Sequence, residues 1–73
     1  MNLYEGCRFV SDGTWFDEGT EVYPCYQIVE GMDSAVFKGV VDGQPDEELC
    51  AFYEFFIYDK NGVILSEPNK ENL

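Results

Sequence analysis

The sequence contains no histidine, and its four lysines and arginines stand against fifteen aspartates and glutamates. Without histidine the chain lacks the commonest general base and the commonest protein metal ligand, and no Ser-His or Cys-His catalytic arrangement can form. The seven glycines are dispersed rather than gathered in a phosphate-binding loop, and no calcium-loop pattern is present. We therefore predict a protein that is not an enzyme and that binds neither a metal nor a cofactor.

The scarcity of basic residues also disfavours direct binding of DNA or RNA, because only Arg8, Lys38, Lys60 and Lys70 could meet phosphate groups. The net charge of −11 exceeds the magnitude of roughly 2–8 that keeps a small domain soluble. Self-repulsion at this level opposes compaction. Two explanations stay open: the acids collect in loops because loops are wet, or their field attracts a basic partner.

The three cysteines, Cys7, Cys25 and Cys50, are odd in number and form no Cys-x-x-Cys pattern. The start MNLYEGCRF has no positively charged segment followed by an apolar one, so nothing in it marks the chain for export. No hydrophobic run approaches the length of a membrane span. These absences predict a cytoplasmic protein away from the membrane, with all three thiols reduced and buried as small hydrophobic groups.

The chain is nevertheless rich in apolar residues: hydrophobic residues make up 45% of the sequence and aromatics 16%. That content is too high for disorder even at this net charge, and 73 residues suffice for one small core. We predict a single β-rich domain over residues 1–66. Residues 67–73, which include a proline and have no apolar pattern, are predicted to be a frayed tail.

The stretch CRFVSDGTWFDE predicts a β-hairpin, because an Asp-Gly pair between apolar residues favours a two-residue loop. With Asp12 and Gly13 as the loop, two apolar pairs and one ion pair face each other across the strands. The pairs are Val10 with Trp15, Phe9 with Phe16, and Arg8 with Asp17.

Alternating apolar and polar residues predict further strands in TEVYPCYQIVEG and in DSAVFKGVVDG. The stretch LCAFYEFFIYD is ambiguous, since its aromatic content favours a strand over 50–58 whereas the acids before it suit one helical turn near 45–49. A last strand is expected at 63–66. The predicted fold is all-β, or β-rich with at most one short helix near 45–53. Its architecture is a small antiparallel five- to six-stranded barrel or curved sheet.

The acidic residues fall into two clusters beside predicted turns, and neither cluster contains a lysine or arginine. The only tryptophan lies within the first cluster. Its ring either caps the core or stays partly exposed as an apolar anchor ringed by carboxylates, as at binding hot spots. The candidate partner-binding residues are Asp12, Trp15, Asp17, Glu18 and Glu21 in the first cluster and Asp42, Asp46, Glu47 and Glu48 in the second.

These features predict a small acidic interaction or inhibitor protein that binds a basic surface of a nucleic-acid-processing protein as a DNA mimic. Small inhibitors of this type are often encoded by phages or other mobile elements. The alternative is a β-barrel adaptor that binds a peptide or small molecule through exposed Trp15, Tyr23 and Tyr53. A third hypothesis is an assembly subunit whose edge strand pairs with its own copy, so monomer and homodimer both stay open.

Overall fold

The computed structural model describes residues 4–68, so the predictions for residues 1–3 and for the tail at 69–73 lie outside the described residues. The described chain forms six β-strands and one short 3-10 turn, with no α-helix. The elements are β1 (Arg8–Ser11), β2 (Glu21–Pro24), β3 (Ser34–Val41), β4 (Gln44–Ala51), the 3-10 turn (Phe52–Glu54), β5 (Phe55–Tyr58) and β6 (Ile64–Ser66).

All six strands belong to one antiparallel sheet with the order β4-β3-β2-β1-β5-β6. The first four strands are neighbours in chain order, and the chain then returns so that β5 pairs with the other side of β1. The predicted all-β fold with six antiparallel strands is confirmed. The sheet is not closed into a barrel, so the curved sheet is the predicted architecture that forms, and β4 and β6 are its edges.

Curvature of the sheet encloses the core. Two strands lie between β3 and β5, so at ~4.8 Å per strand the rings of Phe37 and Phe55 would be about 14 Å apart in a flat sheet. Their centroids are instead 4.7 Å apart, because the sheet is curved and the side chains of β3 and β5 meet on its concave face. The buried hydrophobic residues form one cluster, namely Phe9, Phe16, Val22, Ile28, Ala35, Phe37, Cys50, Phe52, Phe55 and Ile57.

The tight hairpin predicted at Asp12 and Gly13 is wrong. β1 pairs with β2, with Phe9 opposite Val22, and residues 12–20 form a longer loop between the two strands. The type I′ turn that an Asp-Gly pair favours in a two-residue hairpin needs positive φ at both central residues. Here Gly13 has positive φ (95°) and Asp12 does not.

The Ser11 side chain redirects the backbone at the end of β1. Its hydroxyl donates a hydrogen bond to Phe16 O at 2.8 Å and accepts one from Gly13 N at 3.0 Å. The chain therefore turns away from β1, and the three predicted cross-strand pairs do not form. Arg8 lies opposite Tyr58 of β5 instead, with its guanidinium carbon 5.3 Å from the centroid of that ring.

The second Asp-Gly pair of the chain does form a tight hairpin. Asp42 (φ 53°) and Gly43 (φ 77°) both have positive φ, and they join β3 to β4 with Val41 opposite Gln44. The two strands then pair along their whole length of eight residues each.

Of the alternatives for this stretch, the helical turn near 45–49 does not form, because those residues belong to β4 and each pairs with a residue of β3. A run of cross-strand hydrogen bonds outweighs the weak preference of three acids for a helix start. The only described turn of helix is the 3-10 turn at Phe52–Glu54, which interrupts the strand predicted over 50–58. This turn carries the chain from β4 to β5 and leaves Tyr53 exposed.

Candidate functional site

The Asp17 carboxylate joins the first acidic cluster to the turn that carries Asp42, one of the four acids of the second cluster. Its Oδ1 accepts a hydrogen bond from Asp42 N at 2.8 Å, and its Oδ2 accepts one from Gly43 N at 2.9 Å. The backbone N–H of Asp17 also donates to Val40 O at 2.9 Å. The loop 12–20 is thereby tied to the turn between β3 and β4, although the contacting residues are 25 positions apart in sequence.

Phe16 anchors the same loop to the core. Its side chain is 2% exposed and packs against Gly39 of β3, where an added Cβ would lie 2.8 Å from Phe16 Cδ1. Only glycine permits this approach. Near the loop start, Thr14 N donates to Asp12 Oδ1 at 2.9 Å. While Phe16 is buried, the neighbouring Trp15 is 40% exposed, so the ring is not a buried cap of the core.

A groove with a volume of ≈ 330 Å³ is lined by Trp15, and the acidic residues Asp17, Glu18 and Asp42 are among its other lining residues. No lysine or arginine of the described range lines it. Asp12 adjoins the groove, because its carboxylate accepts a hydrogen bond from Thr14, which lines it. We call the surface formed by Asp12, Trp15, Asp17, Glu18 and Asp42 the Trp15 surface. A partly exposed indole among carboxylates suits a cationic side chain, because the ring face and the acids both attract positive charge.

The other four candidate acids lie outside the Trp15 surface. On β4, Glu47 is exposed and lies directly opposite Lys38 of β3. Asp46 and Glu48 alternate with Glu47 along the strand, so they point to the opposite face and are half-buried. Glu21 lies on β2 next to Val22, which is buried in the core, so the Glu21 side chain points to the opposite face of the sheet. The structure therefore brings together five of the nine predicted residues and separates four.

The acids of β4 have a structural explanation, because β4 is an edge of the sheet. Pro45 and three consecutive acids discourage another strand from pairing with an edge of this kind. Partial desolvation, followed by the neighbouring Asp46 carboxyl, raises the pKa of Glu48 above its ordinary value. As the pH falls, Glu48 therefore takes up a proton before an isolated glutamate does.

The prediction that all three thiols are buried is wrong for two of them. Cys50 is buried, Cys7 is partly exposed and Cys25 is exposed, and none of them forms a disulfide. Burial, and then two neighbouring glutamates, raise the pKa of Cys50 to about 12. Burial and the nearby Asp59 also raise the pKa of Cys7. Cys50 is therefore a protonated, unreactive thiol at neutral pH.

Two apolar features are exposed, and the exposure of the first was not predicted from the sequence. Val63, Ile64 and Leu65 are 56%, 40% and 54% exposed, although an apolar run predicts a buried strand. Tyr53 is 61% exposed and lines a second groove of ≈ 270 Å³. Their apolar character is visible in the sequence, but their exposure follows from the position of β6 at the sheet edge and of the 3-10 turn beside it.

Comparison with known proteins gives no relative from which a function could be transferred. No family model, no curated protein and no solved structure matches the chain. Within residues 4–68, no group of three or more histidine, cysteine, aspartate or glutamate side chains is placed to hold a metal ion. The same residues include no helix long and apolar enough to cross a membrane.

The contacts of Asp17 can be tested by substitution. We expect Asp17→Ala to lower the free energy of unfolding by about 2 kcal/mol, because two hydrogen bonds from backbone amides to a carboxylate are lost. Asp17→Asn, which keeps one carbonyl oxygen, should lose about half as much. Urea denaturation followed by circular dichroism measures both values. Glu18→Ala, in the same loop, is the control and should change stability by less than ~0.5 kcal/mol; equal values for Asp17→Ala and Glu18→Ala would show that these contacts do not stabilise the fold.

Proposed function

We propose that this chain is a small acidic interaction protein that binds and blocks a basic surface of a nucleic-acid-processing protein, as a mimic of DNA. It is proposed to act in the reducing cytoplasm, where three free cysteines are expected to persist. The observation that carries the proposal is the Trp15 surface, where Asp17 ties the acidic loop 12–20 to the turn at Asp42 beside a partly exposed indole.

The amount of charge supports mimicry. The described molecule measures 34 × 29 × 23 Å. Duplex DNA carries one charge per ~1.7 Å of axis, so it presents about 20 charges over the longest of these dimensions. The chain carries fifteen carboxylates and a net charge of −11. Its charge per unit length is of the same order as that of DNA, so a groove that binds the duplex would also attract this protein.

The arrangement of the acids supports binding through a defined surface, in addition to attraction by the overall negative charge. Asp17 holds the loop 12–20 against the turn at Asp42 and Gly43, so their acids are presented together on one rigid surface. Preorganised charges lose less conformational entropy on binding than charges on free loops. Trp15 adds an apolar anchor at the same place.

A second candidate function is a β-sheet adaptor that binds a peptide or small molecule through exposed aromatic rings. Trp15, Tyr23 and Tyr53 are 40%, 54% and 61% exposed, which favours this candidate. They line three different grooves, however, so they do not form one binding site. Under this function, neutralising the acids would change binding little and Trp15→Ala alone would abolish it.

Competition with DNA tests the proposed function. The immobilised chain is used to capture proteins from a cell lysate at low salt, and a captured protein is purified and mixed with fluorescent duplex DNA. We expect the chain to displace the duplex, because both occupy one basic groove. Polyglutamate at equal charge is the control for non-specific attraction and should displace the duplex much less. A ternary complex of protein, duplex and chain would contradict mimicry.

A further inference from the structure

The two edges of the sheet differ in how they meet solvent. β4 carries Pro45 and three acids, features that discourage pairing with another strand. β6 itself contains neither a proline nor a charged residue, although Glu67 and Pro68 follow it directly. Val63, immediately before it, and its own Ile64 and Leu65 form an unbroken apolar run that is 40–56% exposed. Among residues 4–68, no strand pairs with β6 on the side away from β5.

An exposed apolar run of this kind is typical of a binding site, because its side chains lose contact with water when a partner covers them and its open backbone groups can pair with another strand. The run is also held in an extended form before any partner arrives. Asp59 Oδ1 accepts hydrogen bonds from Asn61 N at 2.8 Å and from Val63 N at 2.9 Å, and Asp59 N donates to Val63 O at 2.8 Å. These contacts fix the turn that leads into β6, so an incoming strand would meet a preformed edge.

A groove of ≈ 270 Å³ reaches Ser66 at the end of β6. Its lining residues include Phe52, Met32 and the exposed Tyr53, and one acidic residue, Asp33, which is also exposed. An apolar wall with one acid suits a lysine or arginine, whose carbon stem packs on the wall while its charge meets the acid. In strand addition, backbone hydrogen bonds give affinity and such pockets for alternate side chains give specificity.

We infer that the β6 edge binds an extended strand of the basic partner, with apolar side chains along the edge and a lysine or arginine in the groove at Asp33. This inference rests on the proposed function, because it assigns a second contact to the same partner. Charge complementarity argues against a second copy as the occupant, since two chains of net charge −11 repel each other, whereas a lysine-containing strand is attracted.

The probe for this site is a short capped peptide of alternating lysine and valine, titrated into the ¹⁵N-labelled protein and followed by NMR. We expect chemical-shift changes at Val63–Ser66 and at Asp33, and slower hydrogen exchange of β6 amides. A peptide of the same sequence with alternate amides N-methylated should bind at least about tenfold more weakly, because it cannot form the backbone ladder. Equal binding of the two peptides, or shift changes confined to the Trp15 surface, would overturn the inference.

The variant Val63→Thr/Leu65→Thr removes exposed apolar groups, places a β-branched residue with high strand preference at both positions and leaves the net charge unchanged. We expect it to bind the peptide at least about fivefold more weakly. Leu49→Thr, at a position 65% exposed on the other edge, is the matched control and should bind as the wild type does. Sedimentation that shows a dimer lost in the β6 variant would overturn the inference in favour of self-pairing.

The two proposals can fail separately. If only the β6 inference is wrong, the β6 variant still displaces duplex DNA from the captured protein with wild-type efficiency. If only the DNA-mimic function is wrong, the peptide still binds at β6 but the chain and the duplex bind the captured protein together.

Discussion

The triple variant Asp12→Asn/Glu18→Gln/Asp42→Asn is expected to weaken binding to the captured basic protein about a hundredfold. Three carboxylates of the Trp15 surface are neutralised, and close charge pairs in protein complexes contribute on the order of 1 kcal/mol or more each. The substitutions are chosen to preserve the backbone. Asparagine can replace Asp12 in its local turn with Thr14, and it tolerates the positive φ of Asp42.

The matched control is Glu5→Gln/Glu30→Gln/Glu67→Gln, at three exposed positions away from the Trp15 surface. Each variant loses three carboxylates, so both change the net charge from −11 to −8. Any difference between them therefore reports the position of the charges rather than their number. Isothermal titration calorimetry measures both affinities, and we expect the control to lose less than about threefold. Equal losses of affinity in the two variants would show that binding depends only on the net charge of the chain and not on the Trp15 surface.

The largest expected effect on stability is that of Phe37→Ala, which we expect to leave the chain mostly unfolded at 25 °C. The Phe37 side chain is fully buried, and its ring centroid lies 4.9 Å from that of Phe9 and 4.7 Å from that of Phe55. Truncating a buried phenylalanine costs about 3–5 kcal/mol. A core of this size supplies only ~3–5 kcal/mol in total, so the expected loss is as large as the free energy of unfolding of the wild type.

Circular dichroism and urea denaturation measure this effect. Tyr23→Ala is the control, since it removes an aromatic ring that is 54% exposed, and it should cost less than about 1 kcal/mol. A cooperative unfolding transition for Phe37→Ala with a midpoint close to that of the wild type would contradict the role assigned to the rolled sheet, in which β3 and β5 meet through this ring.

The two Asp-Gly pairs show which part of the fold the sequence could predict. Both pairs lie between residues of strand-forming type, and the local rule treats them alike. The pair at 42–43 follows the rule because the strands on both sides pair over eight residues each. At 12–13, the Ser11 hydroxyl instead binds Phe16 O and Gly13 N, and Phe16 reaches the core from a loop. The local pattern does not contain that competing contact.

The candidate site was predictable in its residue types and not in its assembly. The two acidic clusters, and the position of Trp15 within the first of them, are visible in the sequence, whereas the exposure of the Trp15 ring was one of two alternatives. The contact of Asp17 with the turn at 42–43 depends on how β3 packs against the loop, and no local pattern spans that distance. Similarly, the alternation that exposes Glu47 and turns Asp46 and Glu48 to the other face required knowing that 45–49 is a strand.

The dependence of binding on salt tests the central claim most directly, namely that the acidic surface binds a basic partner through charge. The affinity of the wild-type chain for the captured protein is measured by titration calorimetry at several sodium chloride concentrations. We expect Kd to rise at least tenfold between about 50 mM and about 200 mM salt, because screening and the return of counterions weaken contacts between charged surfaces. A Kd that stays constant over this range would contradict the claim.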